Sequence, residues 1–585
     1  MKLSDYIAEY LAKQGVRHVF GVTGAHILHV VDSIAQHPDI EFIPCAHEQG
    51  AVFAADAYSR ITGNLGVALA TSGPGAVNLI SGACSAYFDS VPLLLLTGQV
   101  VRGQLRNYMW PLGQRAPRQI GFQEMPTAWI FKPVTKSAEC VLDAARIAFA
   151  MGQAIYLAKS GRPGPVLLDL PDDVQRADID PERLLNYPTI QPQADYLAKA
   201  NSDRLAKLLA KSKCPIVILG AGVRIGKAEA AMREFIERFQ MPVLLTWGGL
   251  DLLPYDHPLN MGGFGTCGPA AGNLAVQASD LVIAMGTRLG PQMTGQEGFA
   301  PNAKKVVVEI DRVELARLER IGIKVDVPIE SGIGTFLMQR GGLPGGDWGT
   351  WRSKINQWRG RYPVGYTSDN LSVNPYDVMD ALSDALTGNE IIVTDAGATL
   401  AWTCQGLRIK EGQRLISSWN HSPMGWALPA AIGAAFAEPE RNIICITGDG
   451  SFQMNIQELA TIARYNLNIK VFVVHNSGYG IIRQTQDTWL DGRHAGSSRE
   501  GGLGRGDFSD IAEGYDLGTI TMASYGQPTA EAFSFVRRNG PMVVTVLVSP
   551  EARISPKLGK GKTLLDLEPP IEDADIKEAM SCASA

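Results

Sequence analysis

Two short stretches, Gly448-Asp449-Gly450-Ser451 and His475-Asn476-Ser477-Gly478, put a carboxylate, a carboxamide and glycine-flanked carbonyls into one region of the chain. Hard oxygen donors of this kind suit Mg²⁺, which takes one or two protein oxygens in octahedral geometry and shares the remaining positions with phosphate and water. The chemistry would be the anchoring of a diphosphate. The elements around the two stretches are able to deliver it. Arg441 to Thr447 reads as a short buried strand running into the Gly-Asp-Gly turn, Phe452 to Tyr465 has apolar residues at helical spacing, and Lys470 to Val474 reads as a second strand. Asp449 then leaves the end of one strand and Asn476 the end of another, where open parallel sheets bind ligands. Glycines let backbone approach phosphate oxygens, and the following helix N-terminus favours negative charge. A lone Gly-Asp-Gly is usually an ordinary tight turn. The succession of strand, helix, strand and Asn-x-Gly makes the metal reading the stronger one here.

The same stretches resemble the diphosphate motif of thiamine diphosphate enzymes. The resemblance implies Mg²⁺ ligands at Asp449, Asn476 and the carbonyl of Gly478, with His475 where the family usually has the first of two asparagines. It also implies cofactor contacts at Gly448, Gly450, Ser451, Tyr479 and Gly480, and from more distant turns at Gly73 and Gly397. Far upstream, His47-Glu48-Gln49-Gly50-Ala51 resembles the family's His-Glu-x-x-Ala helix. Thiamine chemistry needs a carboxyl group at the aminopyrimidine ring, where proton exchange produces the imine that removes the thiazolium C2 proton. Glu48 fits that duty, although taken singly a glutamate at a helix start is more often a capping or solvated residue. Pro423-Met424-Gly425-Trp426-Ala427-Leu428-Pro429 resembles the family segment carrying an apolar prop beneath the bent cofactor, which places Met424 there. Without that context a buried methionine would be gap filler.

Length and composition set the frame for these motifs. The 585 residues, 45% of them hydrophobic, suffice for three or four domains. A net charge of -6 and scattered lysines and arginines argue against a nucleic-acid partner and for small-molecule chemistry. The eight cysteines form no Cys-x-x-Cys pair, so neither zinc nor a disulfide framework is expected, and a reducing compartment is. Residues 1–11 form an amphipathic pattern with acidic residues rather than a signal peptide, and the apolar run Val91 to Leu96 is too short to span a bilayer. The expectation is a cytoplasmic protein with no membrane partner.

Helical and strand patterns alternate along the chain, which predicts parallel sheets covered by helices. Strands are expected at 18–20, 42–44, 66–70, 92–97 and 165–169 in a first domain (1–176), followed by a linker (177–201). A central domain (202–338) has strands expected at 215–219, 242–246, 281–285 and 305–310. Gly341 to Gly346 marks a second linker (339–373), and a third domain (374–548) has strands at 391–394, 442–447, 470–474 and 542–548. The tail, 549–585, reads as draped or partly disordered. The fold class expected is α/β, with three doubly wound parallel-sheet domains in series. The resemblance implies pyrimidine-binding, central and diphosphate-binding domains, with each active site between the first domain of one subunit and the third of another, hence a homodimer or homotetramer.

Within the family, Thr71-Ser72-Gly73-Pro74-Gly75, Thr97-Gly98-Gln99, Gly121-Phe122-Gln123-Glu124 and Gly161-Arg162-Pro163-Gly164-Pro165 resemble the acetolactate synthase group. That likeness implies a decarboxylating carboligase, which turns a 2-oxo acid such as pyruvate into an enamine and passes the acyl unit to a carbonyl acceptor. Gln99 and Phe122 would act at the reacting centre, and Ala25, His26, His29 and Ile482 would line the substrate space. Two departures bear on the acceptor: Gln292 stands where the synthases have a carboxylate-binding arginine, and Thr485 where they have a tryptophan. A hydrogen bond to a charged group contributes about 1.5 to 3 kcal/mol, so a carboxylate acceptor loses support and a bulkier one, such as a nucleotide-linked keto sugar, becomes an alternative. A simple decarboxylase or flavin oxidase is a further alternative. Ala398 and Thr399 replace a Gln-His pair near the diphosphate. Gly220-Ala221-Gly222 and Gly286-Thr287-Arg288 resemble flavin-contacting segments, which makes FAD a possible second cofactor, although glycine-rich strand ends are common.

Overall fold

The computed structural model describes residues 1–109, 117–188, 199–338, 343–365, 372–504, 506–524 and 526–582. Three six-stranded sheets follow one another along the chain, and every strand pair within them is parallel. The first contains β1 (His18–Gly21), β2 (Glu41–Pro44), β3 (Gly66–Ala70), β4 (Leu93–Gln99), β5 (Ser137–Cys140) and β6 (Pro165–Pro171) in the order β2-β1-β3-β4-β6-β5. The central sheet is built from β7 (Pro215–Leu219), β8 (Val243–Leu245), β9 (Asn260–Gly263), β10 (Leu281–Met285), β11 (Lys304–Glu309) and β12 (Val327–Glu330), ordered β12-β11-β10-β7-β8-β9. In the third, β13 (Glu390–Thr394), β14 (Arg414–Ile416), β15 (Asn442–Gly448), β16 (Ile469–His475), β17 (Gly518–Met522) and β18 (Met542–Leu547) lie as β14-β13-β15-β16-β18-β17. The first and third sheets thus share one wiring, and the central sheet has another.

Each order contains a point where consecutive strands diverge to opposite sides, and crevices open there beyond the carboxyl ends of the strands. The crevices fall between β1 and β3, between β7 and β10, and between β13 and β15. The expected interior strands are all present. Strands β5, β9, β12, β14 and β17 had no clear sequence signal, and every one of them is at a sheet edge. The helix expected over Phe452 to Tyr465 is instead broken at Asn455, giving Asp449–Met454 and Leu459–Tyr465, because the Asn455 amide turns to Gln49 and to the Gly425 carbonyl.

The expected second linker contains a helix, Gly349–Arg361, that buries Trp351, Ile355 and Trp358 in the central core. Part of its glycine cluster lies outside the described residues, as does 189–198 of the first linker. Up to Cys582 the tail is ordered rather than loose. It forms a two-stranded ladder of β19 (Lys557–Leu558) and β20 (Leu567–Glu568) and a helix, Asp573–Cys582, and it buries Leu564, Leu567, Ile571 and Ala579 in the central core. Apolar residues too sparse to make a core of their own found cover on a larger one. No helix among the described residues is long and apolar enough to cross a membrane.

Helix Glu48–Thr62 of the first domain packs on helix Ala427–Ala437 of the third, and the two sheets share a hydrophobic core that includes Phe53 and Trp426. The helices touch backbone to backbone: a Cβ added at Gly433 would lie 1.9 Å from the Ala54 carbonyl oxygen. Gly433→Val is expected to force this contact apart and to destabilise the protein by about 3 kcal/mol or more, the upper range for overpacking, which urea unfolding would measure. Beside the helices, Arg60 pairs with Asp56 at 3.1 Å and Asp89 at 2.9 Å, while Trp426 Nε1 donates to Asp56 at 3.0 Å. Asp89 in turn accepts from the backbone of Trp419 and Asn420, which fastens the third domain to the first.

Candidate active site

At the third-sheet crevice, three turns converge. Gly397 follows β13 with φ +83°, Gly448 ends β15, and Ser477 and Gly478 follow β16 with φ +60° and +156°. The packing leaves no room for larger residues: a Cβ on Gly450 would lie 2.2 Å from the Tyr479 ring, on Gly478 2.3 Å from the Ser497 carbonyl oxygen, and on Gly480 2.4 Å from Asn476 Nδ2. Asp449 and Asn476 are 5% and 4% exposed, and Ser451 is buried beside them. The Asp449 carboxylate accepts from His475 Nδ1 at 2.7 Å and from the backbone N–H groups of Gly478 and Gly450 at 3.0 and 2.8 Å. His475 thus orients that carboxylate. Its Nε2 is buried without a hydrogen-bond partner, against the edge of Phe508. Oxygen donors from Asp449, Asn476 and the Gly478 carbonyl, set among glycines that only hydrogen fits, suit a hard cation and a diphosphate.

Met424, half-buried, lies on a turn that includes Ser422 and Gly425, at φ +51° and +83°. Asp395, which the sequence reading did not single out, shapes this turn. It accepts from the N–H groups of Gly425 and Ala427 and from the Thr447 hydroxyl, tying the Met424 turn to β15. Burial pushes its carboxyl up to about 6, against these hydrogen bonds, which favour the charge. Asn455 adds a second tie, donating to the Gly425 carbonyl at 2.8 Å and to Gln49 at 3.0 Å. The position of Asp395 at a strand end was the available signal. Thr399 caps locally on the Ala396 carbonyl, and Ile482 and Thr485 sit on exposed positions of helix Gly480–Trp489.

The first-sheet crevice gathers a second set. Glu48 starts its helix, accepts from Asn78 Nδ2 at 2.9 Å, and has its Oε1 3.0 Å from where a Gly75 Cβ would be. Gly73, at φ +60°, faces the Gln123 carbonyl, which brings the Phe122 loop alongside; Phe122 itself is 78% exposed. Ala25 is exposed, and His26 Nδ1 lies 2.6 Å from the Ser72 hydroxyl. His29 faces Asp172 at 3.7 Å. Gln99, at 1% exposure, donates to Asp169 and to the Met125 carbonyl, on the wall of a cavity of about 340 Å³. Burial pushes the Asp169 carboxyl up to about 7, against hydrogen bonds from Gln99, Thr97 and Cys140. Because that value is raised in the fold above the ordinary 3.8, stability present at low pH is lost as pH rises between about 4 and about 7. Asp169→Asn, with its amide donating to Thr97 and its oxygen facing Gln99, is expected to flatten this slope in unfolding measured at pH 5 and pH 8.

Two placements separate the site residues. Glu48 is bonded to Asn78 rather than to any residue of the Asp449 turns within the chain. Gln292 lies on the central-domain helix Pro291–Thr294, on the wall of a cavity of about 260 Å³ at the β7/β10 crevice. Gly220, Gly222 and Gly286 meet there: a Cβ on Gly222 would be 2.5 Å from the Gly286 Cα. Arg162 and Arg288 flank the cavity and share Glu314.

Three family models match the chain in series: the thiamine pyrophosphate enzyme N-terminal TPP binding domain over residues 1–125, the central domain over 202–339, and the C-terminal TPP binding domain over 395–546. The acetolactate synthase large subunit of Lactococcus lactis is 33% identical, covering 95% of this chain and 94% of its own. The isozyme 1 large subunit of Escherichia coli is likewise 33% identical over 95% and 96%. This chain belongs to the acetolactate synthase-like thiamine diphosphate enzymes. The chloroplastic acetolactate synthase 2 of Zea mays, also 33% identical, covers 97% of the chain with 88% of its own length. The three family models fall in the order of the three sheets, the N-terminal one covering β1 to β4 with Glu48 and the C-terminal one covering β14 to β17 with Asp449.

Proposed function

We propose that the protein is a Mg²⁺-dependent decarboxylating carboligase that takes a 2-oxo acid, pyruvate in the first instance, and transfers its acyl unit to a carbonyl acceptor. The observation that carries the reading is the convergence of Asp449, Asn476 and Gly478 on glycine-lined turns at the β13/β15 crevice. Thiamine diphosphate, when bound, supplies the electron sink for decarboxylation. The chain's own part is to hold the diphosphate through Mg²⁺ at Asp449, Asn476 and the Gly478 carbonyl, and to support the rings over Met424. Glu48 moves a proton at the aminopyrimidine, and Phe122, exposed in the single chain, covers the reacting centre from water. Among the described residues no hydrogen bond joins the Glu48 carboxylate to the Asp449 turns, which supports a homodimer or homotetramer that completes each site across a subunit boundary. The relatives' names give acetolactate synthesis as their reaction, which supports pyruvate as donor.

FAD is the proposed occupant of the central cavity. Support comes from the β12-β11-β10-β7-β8-β9 order, which is that of dinucleotide-binding sheets, and from the glycines at its crevice. Purified protein would then release flavin on denaturation. Eight free thiols are in keeping with a reducing, cytoplasmic setting. The reaction is tested by supplying pyruvate, thiamine diphosphate and Mg²⁺ and measuring CO₂ together with products: release of CO₂ with a ligated product is expected, and no release from any small 2-oxo acid would refute the reading. Free aldehyde without ligation would instead indicate a simple decarboxylase.

A further inference from the structure

Lys557 is a cation without a counter-ion at the edge of the third-sheet crevice. Its ammonium donates to the Thr485 hydroxyl at 3.3 Å, and among the described residues no carboxylate lies within ion-pair distance of it. The side chain is half-buried, and burial draws its ammonium below the usual lysine range despite the attraction of Glu568 across the ladder, so the charge has lost hydration without a direct ion pair in return. An ammonium carries three donors, and one is used. Desolvated charges in folded proteins are ordinarily paired, and one held unpaired beside a binding crevice is a standing receptor for an anion.

The position is set by structure on both sides. Lys557 begins β19, whose ladder pairs it with Glu568, while the adjacent Leu558 N–H donates to the Thr266 carbonyl at 2.7 Å and the Pro556 carbonyl accepts from Gln405 at 2.7 Å. The tail hairpin is therefore fastened to the central and third domains before it reaches the site. On the other side, the Thr485 hydroxyl donates to the Ile481 carbonyl one turn earlier, and Ile481 lies 3.8 Å from where a Gly397 Cβ would be. A turn of helix rises about 5 to 6 Å, so the ammonium on Thr485 stands about one turn along the helix from Ile481 and the Gly397 turn. Thr485, which it touches, stands at one of the two positions whose departure from the synthases bears on the acceptor.

We propose that Lys557 receives the anionic group of the acceptor, a carboxylate or a phosphate, and so determines which acceptors the carboligase uses. The inference rests on the carboligase reading and adds to it a specificity-determining residue from the tail. The test uses the full-length protein with pyruvate as donor and three acceptors: 2-oxobutyrate, which carries a carboxylate; glyceraldehyde 3-phosphate, which carries a phosphate; and acetaldehyde, which carries no charge. Lys557→Gln is expected to raise KM about tenfold to a hundredfold for whichever anionic acceptor the enzyme uses, the range for a lost charged hydrogen bond. The KM for acetaldehyde and the affinity for thiamine diphosphate should stay as they are, and Lys557→Arg should restore most of the loss. A rise with 2-oxobutyrate identifies a carboxylate, and a rise with the phosphorylated aldehyde a phosphate. Equal effects on charged and neutral acceptors, or a shift in cofactor affinity with none in acceptor KM, would overturn the inference while leaving carboligation intact. Absence of CO₂ release by the unmodified protein would instead remove the reading beneath it.

Discussion

Glu48→Gln is expected to lower turnover by about a hundredfold to ten-thousandfold, the range for losing a positioned general acid–base group, with little change in unfolding temperature. The substitution keeps the side-chain volume. It also keeps an oxygen to accept from Asn78, the hydrogen bond that holds the carboxylate at 2.9 Å. The helix start is unaffected, since the capping contact comes from His47 to the Gln49 N–H. What disappears is the ability to take up and return a proton. Measuring CO₂ release and thermal unfolding on the same preparation separates the two effects. Full activity in the Glu48→Gln protein would mean that the proton relay lies elsewhere.

Asp449→Ala should have a comparable effect by another route. Outer-shell partners of metal ligands are worth about 10- to 100-fold in affinity, so removing the proposed ligand itself should weaken Mg²⁺-dependent cofactor binding by more than about a hundredfold. Three donors lose their acceptor at once: His475 Nδ1 and the N–H groups of Gly478 and Gly450. The His475 ring, whose Nε2 already has no partner, would then keep only the long 3.4 Å contact from the Ser477 N–H, at a cost of about 1 to 3 kcal/mol. Equilibrium titration with thiamine diphosphate at fixed Mg²⁺ reads the first effect, and urea unfolding of the protein without cofactor reads the second. Unchanged cofactor affinity would contradict the placement of the diphosphate at these turns.

Interior strands such as β7, with five buried residues, and β16, with seven, are covered on both faces and so read as continuous apolar runs in the sequence. β5, β12 and β17 are edge strands with intermediate, alternating or mixed burial, and their composition differs little from that of a loop. The Asp449 and Asn476 turns were legible because they are close in sequence and each follows a strand that is itself legible. Asp395, Asn78 and Lys557 were not, since each acquires its role from a partner remote in the chain: Gly425 30 residues away, Glu48 30 away and Thr485 72 away.

Local pattern thus settled the number of α/β units, their interior strands and the chemical character of the turns at Asp449 and Glu48. Those properties depend on which side chains are apolar and where glycine allows backbone to approach, and both are written residue by residue. Tertiary packing alone decided that Gly397 and Gly448 open onto the same crevice, that the tail hairpin is carried to Thr485, and that Asn455 breaks its helix to reach Gln49, 406 residues away. Such contacts come from strand order and helix docking. Their free energy is shared across the whole core, so no short window of sequence carries it.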